Sequence, residues 1–418
     1  MPELDLFPDT ARIVAGDLQL GGLSAAALLA GYGSPLVVYD EATLRASARA
    51  YRRAAPDASI CYGTKAFPNV ALLRLFAEEG LGADVSTLGE LRFALEAGLT
   101  GDRLVVHGNN KTDDELQAAA AAGGLVVIDS LEEIDRVLAA GVERKLIRVT
   151  PGIEADTHEA IRTGHHGSKF GLAPDDALEA VRRAPEAEGL HVHVGSQLLD
   201  LGAALMAVDW LATFAVRARA ETGWEPKTID LGGGLGAPTS PDDPRLSIED
   251  FVHGLVGELD RAFGLQSLPR PRVILEPGRS LVARAGVTLY TVGSVKQTAA
   301  GTTWVAVDGG MSDNPRPALY GARYTALLAN RAEEARDGTY AVAGRHCESG
   351  DTLIDRVELP RPRRGDVLAV PSTGGYTLAM GSNYNAVPRP AVVLVRDGRA
   401  TVIRRRETVD DLLALEAG

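Results

Sequence analysis

Short apolar runs that end in a polar or glycine-bearing tip recur along the chain from residue 59 onward. Eight of them lie between residues 59 and 281, including "SICYGTKA", "LVVHG" and "TIDLGGGLG". The segments between them carry apolar residues at helical spacing, and several end in glycine, a common helix stop. A strand followed by a helix, repeated eight times over about 220 residues, predicts a (β/α)8 barrel, which we assign to residues 35–285.

The pattern changes after this region. Stretches such as "VTLYTVGSVKQ", "DTLIDRVEL" and "GDVLAVPS" alternate apolar and polar residues between turn signals, and "VRDGRA" is typical of a hairpin turn. They predict an all-β domain, a β-barrel or sandwich, formed by residues 286–418 together with residues 1–34. The stretch "PLVVYD" is a further strand that precedes the eight barrel repeats. The predicted fold class is therefore α/β plus all-β.

Composition and charge narrow the class of protein. A chain of 418 residues is too long for one compact core, so two domains are expected. The net charge of -13 argues against general nucleic-acid binding. Two cysteines, Cys61 and Cys347, offer no disulfide framework and fit a reducing compartment. Because no apolar run reaches about 18 residues, we expect no membrane span and a cytoplasmic location.

Polar side chains stand where the predicted barrel strands end, which is where barrel enzymes place their active sites. Lys65 ends the first strand, His193 lies in the sixth, and Glu276 follows the eighth. The triple glycine 232–234 lets backbone N–H groups approach an anion such as a phosphate. A lysine can bind an aldehyde covalently, and a carboxylate can keep a pyridine nitrogen protonated. Together these groups predict pyridoxal 5′-phosphate (PLP) as the cofactor and no metal.

Seven motifs then carry a family resemblance: "YGTKAFPN", "GADVSTLGE", "HVHVGSQ", "DLGGG", "EPGR", "CESGD" and "YNAVPRP". In this order and spacing they resemble the alanine-racemase-type (fold-type III) PLP-dependent decarboxylases, from about residue 35 to the end. The match is best to members that act on meso-2,6-diaminopimelate. The resemblance implies that CO2 is removed from the D-centre of this amino acid to give L-lysine, the last step of lysine biosynthesis.

The resemblance also implies which residues bind the cofactor. Lys65 would hold its aldehyde covalently, His193 would stack on its ring, and Glu276 would contact its pyridine nitrogen. Ser196 would bind the phosphate. The remaining cofactor contacts are assigned to Asp84, Gly234, Gly278, Arg279 and Tyr376.

For the substrate, the resemblance implies that Cys347 is the acid that returns a proton to the carbon that lost CO2. Glu348 would bind the distal ammonium group of the substrate. The full set of implied substrate-binding residues is Arg279, Arg316, Tyr320, Glu348 and Tyr376. Since the family places Cys347, Glu348 and Tyr376 in the active site of the neighbouring subunit, a homodimer with shared active sites is expected.

Three alternatives stay open. A sibling decarboxylase would act on ornithine, arginine, lysine or a carrier-bound glutamyl group; "CESGD" with Arg316 and Tyr320 favours diaminopimelate. A metal-dependent barrel hydrolase would use His191 and His193, but such histidines belong on an early strand. A PLP carrier without turnover would lack the β domain or the cysteine of "HCESGD".

Four further histidines lie in the predicted barrel strands or in the long loop after the fifth strand, and none of them is assigned a catalytic or binding function. His191 is interpreted as structural, and His107 ends the third strand and is left unassigned. His165 and His166 lie in the long stretch "IEADTHEAIRTGHHGSKFG", which we expect to cover the substrate.

Overall fold

A computed structural model describes residues 4–153 and 167–417 of the chain. The chain divides into two compact units. The first, called the barrel unit, comprises Ser47–Gly236 and Arg245–Ser280. The second, called the sheet unit, comprises Met1–Ala46, Ala237–Pro244 and Leu281–Gly418. None of the helices among the described residues is long and apolar enough to cross a membrane.

The N-terminal segment forms a small antiparallel sheet, two helices and one further strand, all of which precede the barrel in sequence. The elements are β1 (Arg12–Val14), β2 (Asp17–Leu20), β3 (Leu23–Ser24), α1 (Ala25–Tyr32), β4 (Leu36–Asp40) and α2 (Glu41–Ala54). The Ser24 hydroxyl accepts a hydrogen bond from the Ala27 N–H group and so caps α1.

In the described part of the barrel unit, eight parallel strands close into a barrel. They are β5 (Ser59–Gly63), β6 (Gly82–Val85), β7 (Leu104–Val106), β8 (Leu125–Ile128), β9 (Lys145–Arg148), β10 (Gly189–His191), β11 (Thr228–Asp230) and β12 (Arg272–Leu275). The predicted eightfold repeat is confirmed, and each strand is one of the apolar runs seen in the sequence.

Helices alternate with the barrel strands. They are α3 (Val70–Glu78), α4 (Leu88–Glu96), α5 (Asp113–Ala121), α6 (Glu133–Ala139), α7 (Pro174–Arg183), α8 (Gly202–Thr222), α9 (Ile248–Leu265) and α10 (Arg279–Val282), with 3-10 turns at Thr64–Ala66 and Gly101–Arg103. Local sequence sets their first turns. Asn69 caps α3, and Thr112 forms a capping box with Glu115 at α5.

The interior of the barrel is packed with apolar side chains. Cys61 belongs to this core, as the sequence predicts for a residue that alternates with apolar neighbours. Burial, followed by the nearby carboxylates, raises the pKa of its thiol well above the ordinary value. The core cluster consists of Cys61, Val105, Leu125, Val127, Leu146 and Ile274.

The sheet unit contains the remaining strands, which follow the barrel in sequence. They are β13 (Gly286–Gln297), β14 (Thr303–Val307), β15 (Leu327–Leu328), β16 (Gly338–Ala343), β17 (Thr352–Leu359), β18 (Val367–Val370), β19 (Ala391–Arg396) and β20 (Arg399–Arg404). Two helices and three 3-10 turns accompany them: α11 (Arg316–Tyr320), α12 (Val409–Leu413), Ala329–Arg331, Leu378–Met380 and Tyr384–Ala386.

These strands form one mixed sheet in the order β17-β16-β14-β13-β4-β19-β20, with β18 paired to β13 and β15. Most neighbours are antiparallel, but β14 runs parallel to β16 and β19 runs parallel to β4. The predicted hairpin turn is confirmed: Asp397 and Gly398, both with positive φ, join β19 to β20.

Strand β4 marks where the compact units differ from the predicted domain bounds. The barrel domain predicted from the sequence begins at residue 35, yet β4 pairs with β13 and β19 in the mixed sheet. All five residues of β4 are buried. A sheet strand that is covered on both faces has a continuous run of apolar residues, and so does a strand of a (β/α)8 barrel. The sequence pattern therefore does not distinguish a central strand of the mixed sheet from a barrel strand.

Candidate active site

Lys65 and Asp84 form an ion pair at the C-terminal ends of the first two barrel strands. Lys65 lies in the 3-10 turn that follows β5, and Asp84 lies in β6. The Lys65 ammonium donates to Asp84 Oδ2 over 2.9 Å, and 49% of the lysine side chain is exposed against 1% for the aspartate. A buried carboxylate therefore orients an accessible amine.

Glu276 lies in a cluster of buried polar side chains contributed by several strands. It follows β12, and its Oε1 accepts a hydrogen bond of 2.6 Å from His107 Nε2. Its other oxygen, Oε2, is 3.5 Å from His191 Nε2. The two imidazole rings meet edge to face, with centroids 4.7 Å apart. Asp230, at the end of β11, completes the cluster.

The surroundings of the cluster shift the pKa values of its two carboxyl groups in opposite directions. Burial by itself would raise the pKa of Glu276, but its interactions with His107 and then His191, taken together, hold that pKa well below the usual range. Burial, with the neighbouring Glu276, raises the pKa of Asp230 well above its usual range. Burial lowers the pKa of His191 to about 3. At neutral pH Glu276 is therefore ionised, whereas the pKa of Asp230 is displaced in the direction that favours its protonated form.

His193 and the triple glycine lie side by side. Burial, and then the charge of Lys65, lowers the pKa of His193 well below its usual value, so its ring is neutral. A Cβ atom on Gly232, whose φ is +63°, would lie 2.7 Å from His193 Nδ1, and one on Gly234 would lie 2.8 Å from Leu198 Cδ1. Side chains at these positions would push the ring and the loop apart. Because these glycines have no side chains, the backbone of the loop can lie directly beside the neutral imidazole ring.

Ser196 and Arg279 meet at the same rim. Arg279 is buried at the start of α10, and its Nη2 donates to Ser196 Oγ over 3.1 Å. Gly234 approaches the backbone next to Ser196, since its Cβ would lie 3.0 Å from the Gly195 carbonyl oxygen. A hydroxyl, a buried guanidinium and an open glycine backbone are the groups that bind a phosphate.

The buried cluster does not fit the metal-hydrolase alternative. Its four possible ligands are His107, His191, Asp230 and Glu276, and their ligand atoms lie within 4.8 Å of one another. However, the nitrogen and oxygen of the His107–Glu276 pair are only 2.6 Å apart. Two ligands at about 2.1 Å in tetrahedral geometry stand farther apart than that, so this pair is hydrogen-bonded as it stands. His193, the second histidine of that hypothesis, is not in the cluster.

In the sheet unit, Cys347 and Glu348 lie at the tip of the hairpin between β16 and β17, and both are exposed. The Cys347 N–H group donates to Asn385 Oδ1 over 3.0 Å. Glu348 accepts a hydrogen bond of 3.4 Å from the Tyr384 hydroxyl. The motif "YNAVPRP" therefore supports the motif "CESGD" through direct contacts.

A buried aspartate fixes this hairpin tip. Asp351 accepts hydrogen bonds from the Met311 N–H group at Oδ1 (2.6 Å) and from the His346 N–H group at Oδ2 (2.8 Å). His346 in turn is 2.8 Å from Ser312 Oγ through its Nε2. These contacts join the hairpin tip to the segment that leads into α11.

Helix α11 carries two of the predicted substrate residues. Arg316 is buried and donates to the Tyr324 hydroxyl over 2.9 Å, whereas the Tyr320 hydroxyl contacts Met380 Sδ at 3.9 Å. Tyr376 lies apart from them in sequence and has a φ of +58°. A left-handed backbone at a bulky residue is uncommon and often marks a functional position.

The predicted residues thus fall into two groups, one in each unit. The barrel unit brings together Lys65, Asp84, His193, Ser196, Gly234, Glu276, Gly278 and Arg279. The sheet unit contains Arg316, Tyr320, Cys347, Glu348 and Tyr376. His165 and His166 lie outside the described residues.

Sequence reasoning left three participants in these networks without a role: His107, Asp230 and Asp351. The first two stand at strand ends, the same signal that found Lys65. Asp351 ends the "CESGD" motif, and its buried carboxylate was not anticipated.

A lysine at the rim, an ionised buried carboxylate, a neutral imidazole and a phosphate-binding corner at the strand ends of a (β/α)8 barrel fit pyridoxal phosphate, and they define a PLP-dependent enzyme of the barrel type. Comparison with known proteins agrees. A family model described as the pyridoxal-binding domain of pyridoxal-dependent decarboxylases matches residues 41–283. The chain therefore belongs to the pyridoxal-dependent decarboxylases, and within them to the diaminopimelate decarboxylase family.

The relatives extend over nearly the whole chain. Diaminopimelate decarboxylase of Actinosynnema pretiosum subsp. auranticum is 46% identical over 99% of this chain and 96% of its own length. The Bacillus subtilis (strain 168) enzyme of the same name is 40% identical over 96% and 95%. A crystal structure of diaminopimelate decarboxylase from M. jannaschii in complex with L-lysine covers 98% of both chains, with a TM-score of 0.91 and 32% identity.

Proposed function

We propose that this protein removes CO2 from the D-centre of meso-diaminopimelate and releases L-lysine, the last step of lysine biosynthesis. The observation that carries the proposal is that one barrel rim holds both an accessible Lys65, ion-paired with Asp84, and a buried Glu276, hydrogen-bonded to His107. The relatives named diaminopimelate decarboxylase, including the one that holds L-lysine, support the choice of substrate.

Bound pyridoxal phosphate supplies the electron sink that accepts the electron pair left when CO2 departs. Lys65 provides the amine that holds the cofactor, and Asp84 orients that amine. Glu276 holds a proton at the pyridine nitrogen, which its ionised state supports. His193 offers a neutral face for stacking, and Ser196 with Arg279 binds the phosphate.

The proposed substrate-binding residues would bind the two amino-acid groups of diaminopimelate, one at each end of the molecule. The distal head carries one carboxylate and one ammonium, so binding it requires both an arginine and a carboxylate. Arg316 and Glu348 supply these charges, with Arg279, Tyr320 and Tyr376 as further contacts. Ornithine and lysine lack the distal carboxylate, and an arginine facing their ammonium would repel it. Cys347 returns a proton to the carbon that lost CO2.

We also propose that the working unit is a homodimer in which Cys347, Glu348 and Tyr376 serve the partner subunit's active site. The exposure of Cys347 and Glu348 supports this arrangement, because both side chains are available to a second chain. The cytoplasmic location stays a prediction.

A substrate panel tests the proposed reaction. The purified protein with PLP is given meso-diaminopimelate, LL-diaminopimelate, ornithine, arginine or lysine, and both CO2 and the amine product are identified. We expect CO2 and L-lysine from meso-diaminopimelate and at most slow release from the others. Faster release from ornithine, arginine or lysine would assign the protein to a sibling decarboxylase.

Mixing two inactive variants tests the shared site. Lys65→Ala and Cys347→Ala each lose one part of the site, but half of the dimers in an equal mixture are hybrids with one intact site. About a quarter of the wild-type activity should return if subunits exchange freely. Each variant incubated alone is the control. Hybrid dimers, isolated through two different affinity tags, that show no recovered activity would contradict the shared arrangement.

A further inference from the structure

His107 lies between two carboxylates of the proposed cofactor site, those of Asp84 and Glu276. It follows β7 and is 6% exposed. Its Nε2 is 2.6 Å from Glu276 Oε1 and 3.8 Å from Asp84 Oδ1. Asp84 in turn receives the Lys65 ammonium on its other oxygen. One imidazole nitrogen therefore faces both the carboxylate assigned to the pyridine nitrogen and the carboxylate that orients the lysine.

The position of His107 matters because His107 affects the pKa of Glu276. Asp230, at the end of β11, and Glu276, which follows the neighbouring strand β12, are both buried. Burial and then the charges of Glu276 and Asp84 raise the pKa of Asp230. His107 makes the largest of the interactions that lower the pKa of Glu276 against the effect of burial, ahead of His191. Removing the partner of a buried charge leaves that charge uncompensated. Without His107, the pKa of Glu276 would rise.

Geometry gives His107 a second effect. The hydrogen bond from His107 engages Oε1 and so leaves Oε2 on the side of His191, which stands 3.5 Å away. A carboxylate held by one oxygen cannot rotate freely about its last side-chain bond. The other oxygen is therefore kept in one orientation before any cofactor arrives.

We propose that His107 is a positioning residue of the cofactor site: it keeps Glu276 ionised and oriented toward the pyridine nitrogen and links it to the Asp84–Lys65 pair. His107 does not touch the reacting atoms. Its role rests on the cofactor and not on the choice of substrate, so it stands or falls independently of the substrate panel.

The test compares His107→Phe, which keeps a flat ring, with His107→Gln, which keeps a neutral hydrogen-bond donor. His253→Phe is the matched control, because His253 is an exposed histidine on α9. Each protein is prepared without cofactor. Its affinity for PLP is then measured by fluorescence, and the protonation of bound PLP labelled with 15N at the pyridine nitrogen is read by NMR.

We expect a protonated pyridine nitrogen in the wild type, the control and His107→Gln. In His107→Phe the nitrogen signal should move to its unprotonated position, with PLP binding weakened about tenfold or more, as is typical when the partner of a ligating group is lost. A protonated nitrogen and wild-type affinity in His107→Phe would overturn the proposal. Loss of both properties in His107→Gln to the same extent as in His107→Phe would also overturn it.

A measurement on the cofactor-free wild type covers the case in which His107→Phe does not fold. With 15N-labelled histidine, the ring signals of His107 should shift when Glu276→Gln neutralises the hydrogen-bond partner, whereas those of His253 should not. Unchanged His107 signals would contradict the hydrogen bond between His107 and Glu276 on which the proposal depends.

Discussion

The barrel rim and the hairpin tip of the sheet unit place their chemical groups in opposite ways. At the rim, the two carboxylates assigned to the cofactor are buried, and each is paired: Asp84 with Lys65, and Glu276 with His107. At the hairpin tip, Cys347 and Glu348 are exposed, and the buried residue is Asp351, which only binds backbone N–H groups. Groups that tune a resident cofactor can be fixed in a desolvated network. Groups that meet a new substrate in every cycle must stay accessible, so the fold orders the backbone beneath them.

The largest effect should come from the rim. Lys65→Ala removes the amine proposed to hold the cofactor, so the visible absorbance of the bound cofactor should vanish and kcat should fall by on the order of 10³ or more. Lys227→Ala, at an exposed lysine of the same unit, is the control and should behave as the wild type. A Lys65→Ala protein that is colourless and yet fully active would contradict the proposed role of Lys65.

The next effect should come from the hairpin tip and should leave the rim unchanged. Cys347→Ala removes the proposed acid, so kcat should fall by roughly 10²–10⁴ while the cofactor absorbance is retained. The comparison is Cys61→Ala, which makes a cavity in the barrel core and should lower the free energy of unfolding by about 1–2 kcal/mol with little change in kcat. If Cys61→Ala were the more damaging variant for kcat, the roles of the two thiols would be reversed.

A smaller effect is expected where the hairpin tip is anchored. Asp351→Asn replaces one of the two backbone-accepting oxygens with an amide that cannot accept, so kcat should fall roughly tenfold and the free energy of unfolding by about 1–3 kcal/mol. Asp355→Asn, an exposed neighbour on β17, is the matched control. Equal losses in both variants would show that the Asp351 contacts do not order the tip.

A final difference concerns the pH dependence of stability. Burial raises the pKa of Asp313, in the sheet unit, to about 7. A folded pKa above the unfolded value of about 3.9 means that the native state binds the extra proton. Stability from this group is therefore full below about pH 4 and is lost as the pH rises toward 7.

Asp313→Asn should thus flatten the pH dependence. Between pH 5 and pH 8 the free energy of unfolding of the wild type should fall more than that of the variant, by up to roughly 3 kcal/mol. Chemical denaturation at several pH values measures the two slopes. Parallel curves would show that Asp313 is ionised in the folded protein.

The sequence predicted the parts of both regions that depend on local pattern. Apolar runs with polar tips located the eight strands, and with them the strand-end positions of Lys65, Asp84 and Glu276. The role of His107 was not predictable in this way, because its contact with Glu276 joins residues 169 positions apart in sequence. The anchoring by Asp351 was missed because it depends on the backbone of a different turn, at Met311. Local periodicity carries no information about such pairs.

The central claim is that the rim supports loss of CO2 from one centre of meso-diaminopimelate and that a proton from solvent, delivered by Cys347, replaces it. The most direct measurement is the reaction of meso-diaminopimelate in D2O, followed by NMR and mass spectrometry of the product. We predict one equivalent of CO2 and L-lysine with a single deuterium at the carbon that lost CO2, the other centre being unchanged. Recovery of diaminopimelate with exchanged or inverted centres, without lysine, would contradict the account.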